Sequence, residues 1–260
     1  MDGDVTPLGL VASLVLVAAA AAISWWRRLG LERRILWATV RAIAQLLAVG
    51  VALAVVIDPG RPLLWSWLWV AAMTVYAGDV VRRRAPEIPR LLPLAAVAFV
   101  AAAVLTLGVV FGLGIMPVEG RTVVPLAGMM VGNAMNSAVL TARRTVEELR
   151  DKRAEIEARL ALGQPAPVAA RPYLAAALRT ALIPQVETTK AVGLVFLPGA
   201  MTGLILAGVE PVDAVLVQAV VMFLVLGAVA TTSAVIGVGL IHRLFTSDHR
   251  LRPLPRPADT

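Results

Sequence analysis

Apolar runs of about 20 residues alternate with short polar clusters along most of the chain, beginning with PLGLVASLVLVAAAAAISWW at 7–26. That is the length an α-helix needs to cross the hydrocarbon core of a bilayer, about 30 Å thick. Seven such spans are predicted, at 7–26, 35–57, 63–81, 91–116, 123–141, 191–208 and 212–241. A helix satisfies its own backbone N–H and C=O groups where there is no water to do so. The pattern therefore predicts an all-α, polytopic membrane protein of about seven transmembrane helices, a single transmembrane domain over residues 1–260.

Composition agrees. Hydrophobic residues make up 59% of the 260, against about 45–50% in a soluble domain, which excludes a disordered chain and a soluble enzyme. Charge then orients the spans. Of the 24 basic residues, all but Arg41, Arg61 and Arg121 follow spans 1, 3, 5 and 7. Asp2, Asp4, Asp58, Glu119, Glu210 and Asp213 fall in the opposite segments. Basic residues concentrate on the cytoplasmic side of membranes, so the N-terminus is expected outside and the C-terminus inside, in an inner or plasma membrane. The same asymmetry explains the basic composition without nucleic acid. The first residues, MDGDVTPLGL, are acidic where a secretory signal is basic, so the first span is expected to be retained.

The outer connections, such as DPGRP at 58–62 and PVEGRT at 117–122, are too short for a receptor or catalytic domain. The sizeable polar piece is 142–190, expected in the cytoplasm. In RRTVEELRDKRAEIEARLALG, Val146, Leu149, Ala154, Ile156 and Leu160 recur at helical spacing. Glu148 with Lys152 and Glu155 with Arg159 form i,i+4 pairs. A helix continuing span 5 is predicted, ended by Gly163 and the prolines Pro165 and Pro167. The amphipathic stretch YLAAALRTALIPQV, 173–186, returns to the membrane. A charged helix, a turn and a returning helix make a docking shape.

Enzymatic signatures are missing. There is no GxxxxGK[ST] phosphate loop, no HExxH and no cysteine, and both histidines, His242 and His249, sit in the tail. Asp79 is the one acid well inside a predicted span, and Ser137 and Ser233 have no histidine nearby in sequence. Transport remains, and the polar residues within the spans bear on it. Asn133 and Asn136 in AGMMVGNAMNSA share a helix face with Met129. They serve either as hydrogen-bond glue between helices or as lining of a translocation path. Gly128 and Gly132 form a GxxxG that admits close helix approach. Gln45 lies one turn deeper than Arg41 and needs a partner. Pro198 and Gly199 predict a break mid-membrane in FLPGAMTG, either a packed kink or part of a transport site, and the second reading adds Met201 and Thr202 to the path candidates. Glu187 and Lys190 form an anchoring pair before span 6. Gln218, Thr231 and Thr232 are further polar positions of span 7, singly uninformative.

RAIAQLLAVG (41–50), VPLAGMMVGNAMNSAVL (124–140), RLALGQPAP (159–167) and above all LRTALIPQVETTKAVGLVFLPGAMTGLILAGVEPVDAV (178–215) resemble the FetB-like permease family. These are membrane subunits of an ABC transporter implicated in bacterial iron export, with a plant relative tied to aluminium tolerance. The resemblance implies a separate cytoplasmic ABC ATPase holding the ATP and magnesium, two copies of each subunit, and iron or another metal species as cargo, with no cofactor in this chain. EARLALGQPAP (157–167) is similar to the E-A-A-x-x-x-G coupling motif of bacterial ABC permeases. Arg159 replaces the second alanine, and the hydrophobic-x-Leu-Pro end is absent. It implies that Glu157, Gly163, Pro167 and Arg171 touch the ATPase. An ion-coupled secondary transporter of a small solute is the alternative. It requires titratable residues at mid-membrane, and the spans offer Asp79 near an end. The residues name no metal ligands.

Overall fold

The computed structural model describes residues 7–58, 60–194 and 197–254; the acidic segment with Asp2 and Asp4, and Phe196 of the predicted break, lie outside them. Among the described residues the chain is helical, with one isolated bridge between Phe245 and Leu251. It divides into two compact units, 1–61 and 62–260.

The first unit is a helical hairpin of α1 (Pro7–Trp26) and α2 (Glu32–Val56). Arg28 and Gly30 reverse the chain at positive φ. Ser24, 2% exposed, accepts from the Leu31 N–H at 3.1 Å and donates to the Glu32 carboxylate at 2.9 Å, so one hydroxyl closes the turn. No α2 residue is buried, and Leu46, Leu47 and Val51 are about as exposed as free side chains. Such a surface is tolerable in lipid and costly in water.

The second unit comprises α3 (Leu64–Arg84), α4 (Leu91–Gly112), α5 (Gly120–Asp151), α6 (Arg153–Ala161), α7 (Ala166–Ala191), α8 (Gly199–Leu206) and α9 (Pro211–Leu244). α5 and α9 pack together at its centre. α4 lies on α9, α3 on α4 and α5, α7 along both α5 and α9, and α8 on α9. Phe99, Met130, Ile236 and Leu240 fill the seam with almost no exposure. Inside it Ser137 and Ser233 share a 2.6 Å hydrogen bond, tying α5 to α9. Thr106 donates both to the Ala102 carbonyl and toward the Met130 sulfur at 3.3 Å.

Glycine sets how closely the helices approach. A Cβ on Gly237 would stand 2.6 Å from Leu174 Cδ1, and one on Gly239 2.4 Å from Leu94 Cδ1. The predicted GxxxG is not where helices meet closely: Gly128 has only the Met73 methyl at 3.9 Å, and Gly132 meets nothing. Close packing was expected there from spacing, but α3 fills the gap with a long side chain.

The first, second, third, fourth, fifth and seventh predicted spans correspond to α1, α2, α3, α4, α5 and α9. Five of these, α2, α3, α4, α5 and α9, are long and apolar enough to cross a membrane, and α1 adds a shorter apolar stretch, Val11–Trp26. The region 191–208 differs from the expectation of one continuous span. α7 runs on to Ala191, Gly193 turns the chain at φ +86°, and Pro198 restarts it as the eight-residue α8. Eight residues rise about 12 Å, well short of a bilayer core. The predicted break at Pro198 is therefore present, and the long helix before it is α7. The charged helix likewise continues from span 5, as α5 to Asp151 and then α6.

Gly237→Val is expected to destabilise the fold by about 1–3 kcal/mol through overpacking against Leu174. Gly108→Ala, where an added Cβ meets nothing within 4 Å, is expected to be neutral or to stabilise by up to about 1 kcal/mol. Thermal unfolding in detergent distinguishes the two; equal losses overturn the packing assignment.

Candidate translocation site

The last turns of α7 carry Gln185, Thr188 and Thr189, spaced i, i+3, i+4 and so on one face. That face meets Met129 and Asn133 of α5 and Gln218 and Met222 of α9. Pro198, Gly199 and Ala200 at the start of α8 complete the wall of a cavity of about 350 Å³. Gln218 lies seven residues into α9 and Asn133 thirteen into α5, about 10–20 Å from the helix ends that carry Glu119 and Glu210. The cavity therefore stands near the middle of the apolar layer.

Its threonine hydroxyls are already engaged: Thr188 donates to the Pro184 carbonyl at 2.8 Å and Thr189 to Gln185 O at 2.8 Å, as Thr202 of α8, outside the lining, does to Pro198 O at 3.2 Å. Such back-bonds let a hydroxyl sit in an apolar helix without a partner helix. The Asn133 side-chain N–H₂ donates to Met129 O at 2.8 Å. Gln218 is the exception. It is 7% exposed, and its Oε1 is buried without a hydrogen-bond partner, an arrangement that costs about 1–3 kcal/mol. Among the described residues the lining holds no carboxylate, imidazole or thiol, and no three His, Cys, Asp or Glu side chains gather as a metal site.

Of the residues singled out from sequence, Met129, Asn133 and Pro198 come together here. Asn136 does not: its carbonyl accepts from Arg84 at 2.8 Å, at the basic end of α3. Met201 is buried within α8, and Thr202 is occupied by Pro198. Gln45 lies exposed on α2, in the first unit. Sequence reasoning passes over Gln185, which ends the amphipathic return of 173–186, over Thr188 and Thr189, which lie between the anchoring Glu187 and Lys190, and over Gln218, which stands alone. The Q-x-x-T-T spacing was the available signal.

A second feature lies at the basic end of α5 and α9. α6 and α7 meet at an exposed turn where Gly163 has φ +83° and Leu162 is 82% exposed. Glu157, Pro167 and Arg171 are also exposed there, with Glu157 paired to Arg153 at 2.7 Å. The predicted pairs Glu148–Lys152 and Glu155–Arg159 are replaced. Lys152 instead holds Glu155 at 2.9 Å, Tyr173 OH donates to Glu155 at 3.1 Å, and Arg159 stacks 5.8 Å over the Tyr173 ring. Tyr173 wins because α7 folds back against α6, a contact no local spacing encodes. The tail straps this region: Arg153 donates to the Leu251 carbonyl at 3.2 Å, and the Ala166 N–H to His249 Nδ1 at 3.3 Å. The hydrogen bond from Lys152, then that from Tyr173, holds the Glu155 carboxyl below its ordinary range. The predicted Glu187–Lys190 pair forms at 2.8 Å, on an exposed surface.

Long apolar helices, a polar cavity at a broken helix and an exposed charged segment define a polytopic helical membrane protein. The chain belongs to the Uncharacterised protein family (UPF0014), matching it over residues 7–245. It is similar to "UPF0014 membrane protein STAR2" of Oryza sativa subsp. japonica, with 37% identity over 88% of this chain and 80% of that protein. It is 34% identical to "Probable iron export permease protein FetB" of Escherichia coli over 95% of each chain. Against "Protein ALUMINUM SENSITIVE 3" of Arabidopsis thaliana the identity is 32%, over 90% of this chain and 84% of that one. No solved structure matches.

Two outcomes are expected. Gln218→Leu removes the orphaned acceptor and is expected to leave thermal stability unchanged or raised by about 1–3 kcal/mol while transport falls; a marked loss of stability would show that Gln218 is held by the fold. Glu155, with its pKa lowered on folding, stabilises the α6–α7 contact above the ordinary carboxylate range, and that contribution is lost as pH falls through its lowered value. Hydrogen exchange at the α6–α7 turn is thus expected to speed up on acidification, and Glu155→Gln to abolish that dependence. Unchanged acid sensitivity in Glu155→Gln assigns it elsewhere.

Proposed function

We propose that this chain is the permease subunit of an ATP-driven exporter of iron or another metal species, working with a separate ABC ATPase that binds ATP and magnesium. A homodimer of permeases with two ATPases is the assembly in a cell membrane, with the basic helix ends cytoplasmic. One observation carries the reading: α7 is a single 26-residue helix whose start, Ala166, adjoins the exposed α6–α7 turn and whose end, at Thr188 and Thr189, lines the polar cavity. A push at the turn is delivered to the cavity through one continuous helix. Pro172 and Pro184 within α7 each remove a helical hydrogen bond and supply points at which it bends. The name of the Escherichia coli relative supports iron export. Glu157, Gly163, Pro167 and Arg171 are the exposed residues the ATPase grips.

Two-state access follows. ATP closes the partner dimer, the turn is displaced, and α7 and α8 shift about the break at 192–198 so that the cavity opens to the other side. A secondary transporter coupled to protons is disfavoured because such coupling needs a titratable group in the path, and the cavity lining has none.

The test is reconstitution in proteoliposomes with and without the candidate ATPase. Iron-stimulated ATP hydrolysis and ATP-dependent iron movement in the pair alone are the expected result. Uphill movement by the isolated permease, or its collapse by an uncoupler with ATP intact, overturns the assignment.

A further inference from the structure

α8 begins at the cavity wall. Its first helical hydrogen bond runs from Thr202 N–H to Pro198 O at 3.0 Å, so the N–H groups of Gly199, Ala200 and Met201 precede it and belong to the unsatisfied first turn of a helix. Gly199 and Ala200 line the cavity, and an added Cβ on Gly199 would meet nothing within 4 Å, so a ligand can approach this backbone closely. On the same cavity is Gln218, with its buried Oε1 lacking a donor.

The two observations complement each other chemically. Helix N-termini attract anionic oxygen through free N–H groups and the positive end of the dipole. A buried amide carbonyl seeks an N–H or O–H. With no carboxylate in the lining, an entering anion meets no like charge. A bare hard cation finds only neutral donors there, amide and hydroxyl oxygens and the sulfurs of Met129 and Met222, and no carboxylate of the kind that calcium or magnesium sites use. A cavity of about 350 Å³ is in the range that encloses small organic solutes.

Resting on the reading of this cavity as the cargo path, we propose that it binds a hydroxylated oxyanion. Its carboxylate or phosphate oxygens sit on the N-terminus of α8, and its hydroxyl donates to Gln218 Oε1. A metal carried through this site travels as the oxyanion's complex.

Titration calorimetry of the purified full chain in lipid nanodiscs tests this with three probes: citrate, iron(III)–citrate, and manganous ion alone. Two substitutions separate the parts. Gln218→Glu keeps the shape and adds a negative charge. Gly199→Pro removes one N–H at the first helical position, where proline is favoured and where Pro198 is already extended at ψ 148°. Binding of citrate, of its iron complex, or of both is expected in the wild type, weakened about tenfold or more by Gln218→Glu and severalfold by Gly199→Pro, with unfolding temperatures unchanged. Citrate alone binding identifies the free anion as ligand; only the complex binding identifies the metal-loaded form. Manganous ion binding that strengthens in Gln218→Glu overturns the proposal, as does oxyanion binding indifferent to both substitutions, or no oxyanion binding at all. ATP-dependent transport of bare metal by the reconstituted pair without oxyanion binding removes this assignment and leaves the exporter reading. Oxyanion binding without ATP dependence does the reverse.

Discussion

In hydrocarbon a hydrogen-bonding group without a partner has no water to fall back on, and that requirement organises this molecule. It makes every long element a helix. It turns Thr188, Thr189 and Thr202 back onto their own helices, and it joins Ser137 to Ser233 across the α5–α9 seam. Gln218 Oε1 is one of several buried atoms without a partner, with Thr141, Thr145 and Thr232 among the others, and it is the one that lies where the chain also breaks a helix and opens a cavity. The exposed N-terminus of α8 and the orphaned carbonyl lie on the same hollow because both are tolerable only where something other than lipid meets them.

Packing then decides which helices carry that hollow. Gly237 and Gly239 let Leu174 and Leu94 press against α9, so α7 and α4 flank the same helix from two directions. α7 thereby becomes the element common to the cavity and to the charged segment at the basic end. Its interior prolines weaken it locally without ending it, since α5 and α9 support it along its length. Such a helix transmits displacement while retaining places to flex.

At the basic end a different set of forces operates. Lys152, Glu155, Tyr173 and Arg159 form an exposed network whose members contribute modestly, and the tail adds hydrogen bonds through Arg153 and His249. The exposed Leu162, Pro167 and Arg171 stand outside these contacts. A surface for docking thus rests on a braced support, and the residues of the support are not the residues of the surface.

The all-helical, membrane-spanning character was legible in the sequence, because span length and backbone satisfaction are local matters that apolar runs such as 91–112 and 212–241 state directly. So were the break at Pro198 and the turn at Gly163, since proline and glycine act on their own backbone. Asn133 and Met129 were found through helical spacing on one segment. What tertiary structure alone decided is which faces oppose each other. Asn136 went to Arg84, Glu155 to Tyr173, and Gln218, isolated in sequence, to the cavity that the start of α8 also lines. Those pairings join residues far apart along the chain, and periodicity records which face of a helix a residue occupies, never what that face will meet.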